Sequence, residues 1–398
     1  MPRKRLRAVV LGSRFAGLAT LTWLRRLYRP SELDITVVDQ WQDMIFRPGL
    51  VHAMRLGPDQ LMATVSVPMR PFWAKHQIHP IHDIVVGIDP NAREVYTAAH
   101  EPIPYDVLFV ATGSSPRWDA IPGLAQHHQG FCEGYLARHT AAVNMRQPQG
   151  RLVIAIGQLL APRSWSPSVQ VGCECPGLES ALLWDYRLRQ LKERAHAEIT
   201  LVTPAKELAE SGGAEIREKL GQIFHQRGIN VITGAQYRRV ADSALELGDG
   251  TSIPFDRILW IPPQSGSRWL EHSPIAEGAG WVPADAFLNH PRWSEIYAVG
   301  DVVSKPWPKM GHAAMVQARV AVHHWAWRQR KIRRKPAPYE PKLLWVLEDT
   351  AGTAFFVLSN AFYGGKQQMV YHGRSPYWAK QVFQMAYIRR TGALPVMP

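Results

Sequence analysis

The sequence predicts an α/β fold with two similar halves, each built on a βαβ unit, followed by a smaller C-terminal unit. Three observations predict it. An apolar strand near the start runs straight into a glycine turn and a helix. A second strand-led unit of the same kind begins near residue 151. A basic, proline-containing stretch at residues 328–341 then sets off the end of the chain.

The first unit opens with the apolar run Ala8 to Leu11, which reads as a buried strand. It leads into Gly12-Ser13-Arg14-Phe15-Ala16-Gly17, and Leu18 to Leu24 follow with helical periodicity. The next strand, Asp34 to Val38, ends at Asp39, 22 residues after Gly17. At that spacing a carboxylate meets an adenosine ribose in a dinucleotide-binding βαβ unit, with the pyrophosphate on the helix N-terminus, where free N–H groups and the dipole favour an anion. Arg14 stands where such turns usually carry glycine.

Tyr105 to Val110 reads as a strand leading into Ala111-Thr112-Gly113, and Arg257 to Ile261 repeats the pattern into Pro262-Pro263. Arg151 to Gly157 opens the second Rossmann-like unit, with a helix over Glu179 to Leu191 and a strand over Ala197 to Val202. Here Gln158-Leu159-Leu160-Ala161-Pro162 replaces the glycine fingerprint, so this half is expected to keep the fold without a phosphate cradle for a nicotinamide cofactor. Ser294 to Val299 returns the chain to a strand that ends at Gly300-Asp301, and a helix follows over about Gly311 to Arg328.

At 398 residues, with 46% hydrophobic and 20% charged residues, composition excludes a disulfide-stapled miniprotein and a disordered chain. No apolar run is long enough to span a membrane. Lys and Arg exceed Asp and Glu by 46 to 33, a net charge of +13. The excess gathers at Arg3-Lys4-Arg5 and Arg328 to Lys335, which favours an anionic surface as partner. No nucleic-acid recognition element is present, and no nucleic acid is expected. The opening does not read as a secretory signal, so a cytoplasmic location is expected.

Cys132, Cys173 and Cys175 are too few for a disulfide framework or a thiolate metal cluster, which leaves redox chemistry to consider and no metal site. Cys173 and Cys175 precede the predicted helix at Glu179, where its dipole would lower a thiol pKa. A reactive pair within Cys-x-Cys, a Cys132–Cys173 pair, and three inert buried thiols all remain open.

Gly12 to Gly17 with Asp39, Ala111-Thr112-Gly113 and Tyr297-Ala298-Val299-Gly300-Asp301 resemble the two-dinucleotide-fold flavoprotein reductases. Within them the chain is most similar to the sulfide:quinone oxidoreductases over nearly its whole length. Phe46-Arg47-Pro48, Phe131-Cys132-Glu133, Cys173 to Glu179, Pro308-Lys309-Met310-Gly311 and the tail Trp378 to Arg390 carry the likeness. The resemblance implies FAD, held by Gly12, Arg14, Phe15, Ala16, Gly17, Asp39, Arg47, Ala111, Thr112, Gly113, Gly300, Asp301 and Gly311. Lys309 would lie at the pyrimidine end of the flavin, where a cation stabilises the charge of reduction. It also implies catalytic roles for Cys173, Cys132 and Cys175, with sulfide or a related small sulfur compound as donor and a quinone as acceptor. The chain departs from the family in its C-terminal third, where Leu343 to Asp349 offers Trp345 and no thiol.

On this reading an FAD-binding domain is split over residues 1–115 and 285–330. Residues 116–284 form a second Rossmann-like domain carrying the cysteines, and 336–398 a quinone- and membrane-interface region. Pro376 to Arg390 reads as a helix in which Trp378, Val382, Phe383, Met385 and Tyr387 face lipid while Lys380, Arg389 and Arg390 reach headgroups. Phe355, Phe356, Phe362 and Tyr363 are candidate walls of the quinone slot. The expected location is peripheral, on the cytoplasmic side of the cell membrane, and a homo-oligomer is compatible with it. The alternatives are an enzyme like type-II NADH:quinone oxidoreductase, the flavoprotein subunit of a sulfide dehydrogenase, and a flavin-binding member that does not oxidise sulfide.

Overall fold

The structure is a computed structural model and describes residues 5–127 and 129–390. Met1 to Lys4 of the basic N-terminal cluster lie outside the described residues.

Five parallel strands form the first sheet, in the order Ile296–Ala298, Val107–Val110, Leu6–Leu11, Leu33–Val38 and His79–Ile81. Burial on both faces accounts for the near-continuous apolar runs of its central strands. The helix Phe15–Leu27 packs along the helix Gly311–Arg328, so that the start and end of this unit close on one another.

The second sheet orders Ile229–Ile232, Ala197–Val202, Gly150–Ile156 and Arg257–Ile261, again all parallel. Its first helix runs Cys175–Leu191, one turn earlier than the periodicity predicts. Pro176 occupies the first turn, where its missing N–H costs nothing and its fixed φ favours the helix. Residues of both sheets, among them Val10, Tyr297, Ile154 and Leu201, belong to one continuous apolar core.

The C-terminal unit is an antiparallel sheet of Leu343–Glu348, Ala354–Ser359 and Gln368–Gly373, followed by the helix Arg374–Arg389. That helix has two characters. Trp378, Val382 and Met385 are exposed, whereas Tyr387 is fully buried. Lys380 is also buried, ion-paired with Glu179 and 3.4 Å from Glu348. The expectation that Lys380 and Tyr387 belong to a lipid-facing surface is therefore corrected. A carboxylate supplied from another part of the chain outbids solvent for the ammonium, a pairing that periodicity within the helix cannot reveal. No helix among the described residues is long and apolar enough to cross a membrane.

Candidate functional site

The glycine turn is as tight as its sequence requires. Gly12 has φ +94°, and a Cβ there would lie 2.6 Å from the Ala111 carbonyl oxygen. A Cβ on Gly17 would lie 1.9 Å from the Gly12 oxygen, so only glycine lets the helix start this close to the strand. Asp39 closes the turn from the neighbouring strand: its carboxylate accepts from the Ser13 N–H at 2.7 Å and the Ser13 hydroxyl at 2.8 Å.

Arg14 takes part in a three-member ion bridge. Glu133 accepts from Arg14 Nη2 at 3.0 Å and from Arg47 Nη2 at 2.6 Å. Burial pushes the Glu133 carboxyl up, but Arg47 and Arg14 outweigh it and hold it below the ordinary range. Glu133 is absent from the candidates taken from the sequence; its one signal there is its place beside Cys132. Arg47 Nε and Thr112 Oγ1 are buried without a hydrogen-bond partner, and nothing lies within 4 Å of a Cβ built on Gly113. Orphaned donors beside a glycine cradle fit a bound dinucleotide.

The opposite wall comes from the end of the first unit. Gly300, at φ +81°, leaves its Cβ direction to Ala16, and its N–H donates to Gln317 Oε1 at 2.7 Å. Gly311 faces the Phe15 ring, which packs on Tyr387 at 4.9 Å and on Phe46 at 5.7 Å. Burial raises the Asp301 carboxyl against the pull of Lys309 and Arg47. Burial lowers the Lys309 ammonium to about 7, opposed by Asp301. The Lys309 amine donates to the Val303 carbonyl at 2.7 Å and sits over the rings of Trp281 and Trp165, at 4.7 and 5.0 Å.

The three cysteines are free thiols and divide into two environments. Cys173 lies within electrostatic reach of Asp301 and Cys132, and Cys132 within reach of Arg47, Glu133 and Arg14. Cys175 instead lies in the helix beside Glu179 and Lys380 and packs against the core. The expected lowering of thiol pKa by the helix N-terminus is not what governs here. Burial pushes Cys132 up to about 11 and Cys173 up to about 12, Asp301 adding to the latter, and raises Cys175 as well.

Cys173 opens on a small cleft that Ser211, Met310, Leu343, Trp345 and Tyr363 also line. Trp345, the residue from the stretch that lacks a thiol, thus stands at the wall of the Cys173 cleft. Of the four predicted slot walls, Tyr363 lines this cleft, whereas Phe355 is buried in its sheet against His372. The aromatic group that meets the cradle is instead Phe15, Phe46, Phe383 and Tyr387.

Behind the site, His52 and Glu348 are 3.0 Å apart, and the ligand-type atoms of His52, Glu179 and Glu348 lie within 4.8 Å of one another. The Lys380 ammonium bonds to both carboxylates, so the cation of this cluster is the chain's own.

The family model described as pyridine nucleotide-disulphide oxidoreductase matches residues 6–318. The chain is 24% identical to the sulfide-quinone reductase of Aquifex aeolicus over 355 residues, covering 84% of this chain and 79% of that protein. It is 25% identical over 309 residues to an NADH dehydrogenase-like protein of Mycobacterium tuberculosis, covering 75% of this chain and 73% of that one. The solved structure of the sulfide:quinone oxidoreductase of Aquifex aeolicus superposes with TM-score 0.84 at 21% identity, covering 98% of this chain and 93% of the other. At that identity the superposition shows the fold.

Proposed function

We propose, from the premise that this chain belongs to the pyridine nucleotide-disulphide oxidoreductase family and is an FAD-dependent oxidoreductase, that it oxidises sulfide or a related small sulfur compound at Cys173 and reduces a quinone. The observation that carries this reading is Cys173 on the wall of a cleft, within electrostatic reach of Asp301 and Cys132. Joining hydrosulfide to the Cys173 thiol breaks two S–H bonds, forms one S–S bond to give the persulfide anion, and releases two electrons and two protons. Those electrons and protons convert a quinone to a quinol. Bound FAD would supply the two-electron carrier between donor and acceptor.

The chain's own residues prepare this chemistry. Gly12 to Gly17 and Arg14 would take the pyrophosphate, Asp39 the adenosine ribose, and Asp301 the ribityl chain. Lys309, buried and within the influence of Asp301, is placed to hold a proton or a positive charge beside the redox centre. Arg47 keeps positive potential next to Cys132 and Asp301, which opposes the effect of burial on both. The half-buried Phe15 and Phe383 rings, backed by the buried Phe46 and Tyr387, offer an apolar surface for the quinone. Exposed Trp378, Val382 and Met385, with Met369 and Tyr371 on the adjoining strand, suit a peripheral contact with the cytoplasmic side of the membrane.

Likeness to an NADH dehydrogenase-like protein favours a second reading, oxidation of NADH. Residues 157–174 argue against it. They connect strand to helix by a long loop without the glycine fingerprint, so no helix N-terminus follows the strand at once to receive a phosphate. An anaerobic titration of the purified protein separates the two readings. Sulfide should bleach the flavin absorbance and added quinone restore it, with Cys173→Ser abolishing the response and Cys175→Ser retaining it. Bleaching by NADH alone would establish the second reading.

A further inference from the structure

We propose that Trp165 and Trp281 are positioning residues for the redox centre, holding the Lys309 ammonium against two indole rings. The part given to Lys309 rests on the reading above. Lys309 is 7% exposed, and among the described residues no carboxylate is ion-paired with it; Asp301 acts on it from farther off. Its bond to the Val303 carbonyl at 2.7 Å engages one of its three N–H groups. The Trp281 and Trp165 ring centres lie 4.7 and 5.0 Å from the same nitrogen. Burying an ammonium without a counter-ion is costly unless something replaces the water around it, and the electron-rich face of an indole does so.

Each ring is fixed by its own N–H. Trp281, fully buried, donates to the Leu160 carbonyl at 2.9 Å. Trp165 donates to Ser304 Oγ at 3.2 Å, and that hydroxyl donates onward to Glu277. The two rings meet edge to face at 5.2 Å and pack with Leu159 in a small core of their own. Leu159, Leu160 and Trp165 all belong to residues 157–174, the loop that stands where a dinucleotide-binding unit would carry its glycine fingerprint. A Cβ on Gly172 of the same loop would lie 3.6 Å from Lys309 Cγ, so the loop meets the stem of the lysine as well as its head. In place of a phosphate turn, the second unit thus presents a clamp on the lysine that precedes the helix Gly311–Arg328 of the first. The charged and titratable groups around the clamp are Asp301, Arg47 acting on Asp301, Glu277 behind Ser304, and Cys173 next to Gly172.

The test reads Lys309 itself, in the FAD-loaded full chain with lysine labelled at Cε for NMR. The resonance that Lys309→Met removes should titrate lower by about one pH unit or more in Trp165→Leu than in wild type. A desolvated indole face biases an ammonium toward its charged form by about tenfold or more. Trp165→Phe, which keeps an aromatic face, should fall between the two, and its comparison with wild type stands even if the leucine variant does not fold. Between the two titration points the flavin midpoint potential should be lower in Trp165→Leu, because a fixed cation favours the reduced, anionic flavin. Adding Lys309→Met to that variant should lower it little further. An unchanged or raised Lys309 titration would mean that water or Asp301 holds the charge, and a shifted titration with an unchanged potential would separate the clamp from the redox centre; either overturns the proposal. Failure of sulfide to bleach the flavin would refute the substrate assignment and leave both readouts standing.

Discussion

Substituting Lys380 by methionine keeps most of the unbranched side chain and removes the one ammonium shared by Glu179 and Glu348. Glu348 retains His52 at 3.0 Å, Arg55 at 3.6 Å and the Gln381 amide at 2.9 Å. Glu179 retains only the Glu348 N–H at 3.2 Å, so the loss falls on Glu179. Burial already raises Glu179 from its ordinary 4.5 to about 7, with Lys380 opposing the rise. A carboxyl whose folded value is raised binds its proton more tightly when folded, so stability falls as pH climbs from the unfolded value to the folded one and is flat above it. In wild type that fall ends near pH 7. Without Lys380 the folded value moves higher, toward the 8 to 9 that buried carboxyls reach, and the fall continues. Each further pH unit costs about 1.4 kcal/mol, so the loss in the variant should be about 1.4 to 3 kcal/mol greater at pH 9 than at pH 6. Thermal melts at the two pH values would read this as a drop a few degrees larger at pH 9 than at pH 6. Adding Glu179→Gln should abolish the pH dependence. An equal loss at both pH values would refute the reasoning and assign the effect of Lys380 to packing.

Three other substitutions probe separate parts of the molecule. Gly17→Ala places a Cβ 1.9 Å from the Gly12 oxygen and should yield protein with little or no flavin released on denaturation; a normal flavin content would exclude this turn as the cradle. Trp345→Ala should widen the cleft and speed alkylation of Cys173 by bulky maleimides more than by iodoacetamide, whereas equal acceleration would mean that Trp345 does not set its size. The double change Trp378→Ser and Val382→Ser should weaken binding to vesicles of anionic lipid in flotation assays while leaving the fold intact; unchanged flotation would detach that face from membrane association.

Local physics carried much of the fold into the sequence. A strand, a glycine turn and a helix are written in consecutive residues from Leu6 to Leu27, and their tightness shows in glycine itself. The helix at Cys175 was harder to delimit, because its apolar periodicity starts later than its backbone and Pro176 was the sole mark of the true first turn. The ion pairs were not legible at all. Arg14 meets Glu133 and Glu179 meets Lys380 across long stretches of chain, and no spacing rule connects them. The thiol environments went the same way: a helix N-terminus is visible in sequence, but the burial that outweighs it comes from elements elsewhere in the chain.

Arg14, Arg47 and Glu133 together carry a net charge of one positive, and each arginine is fixed by the same carboxylate. Where a glycine would offer a pyrophosphate only backbone N–H groups, Arg14 in the proposed role would offer a guanidinium that Glu133 already holds. Much of the side-chain entropy a free arginine would lose on binding is thus spent during folding. The bridge also joins three distant segments at the mouth of the cradle, so releasing the anion need not loosen the walls that received it.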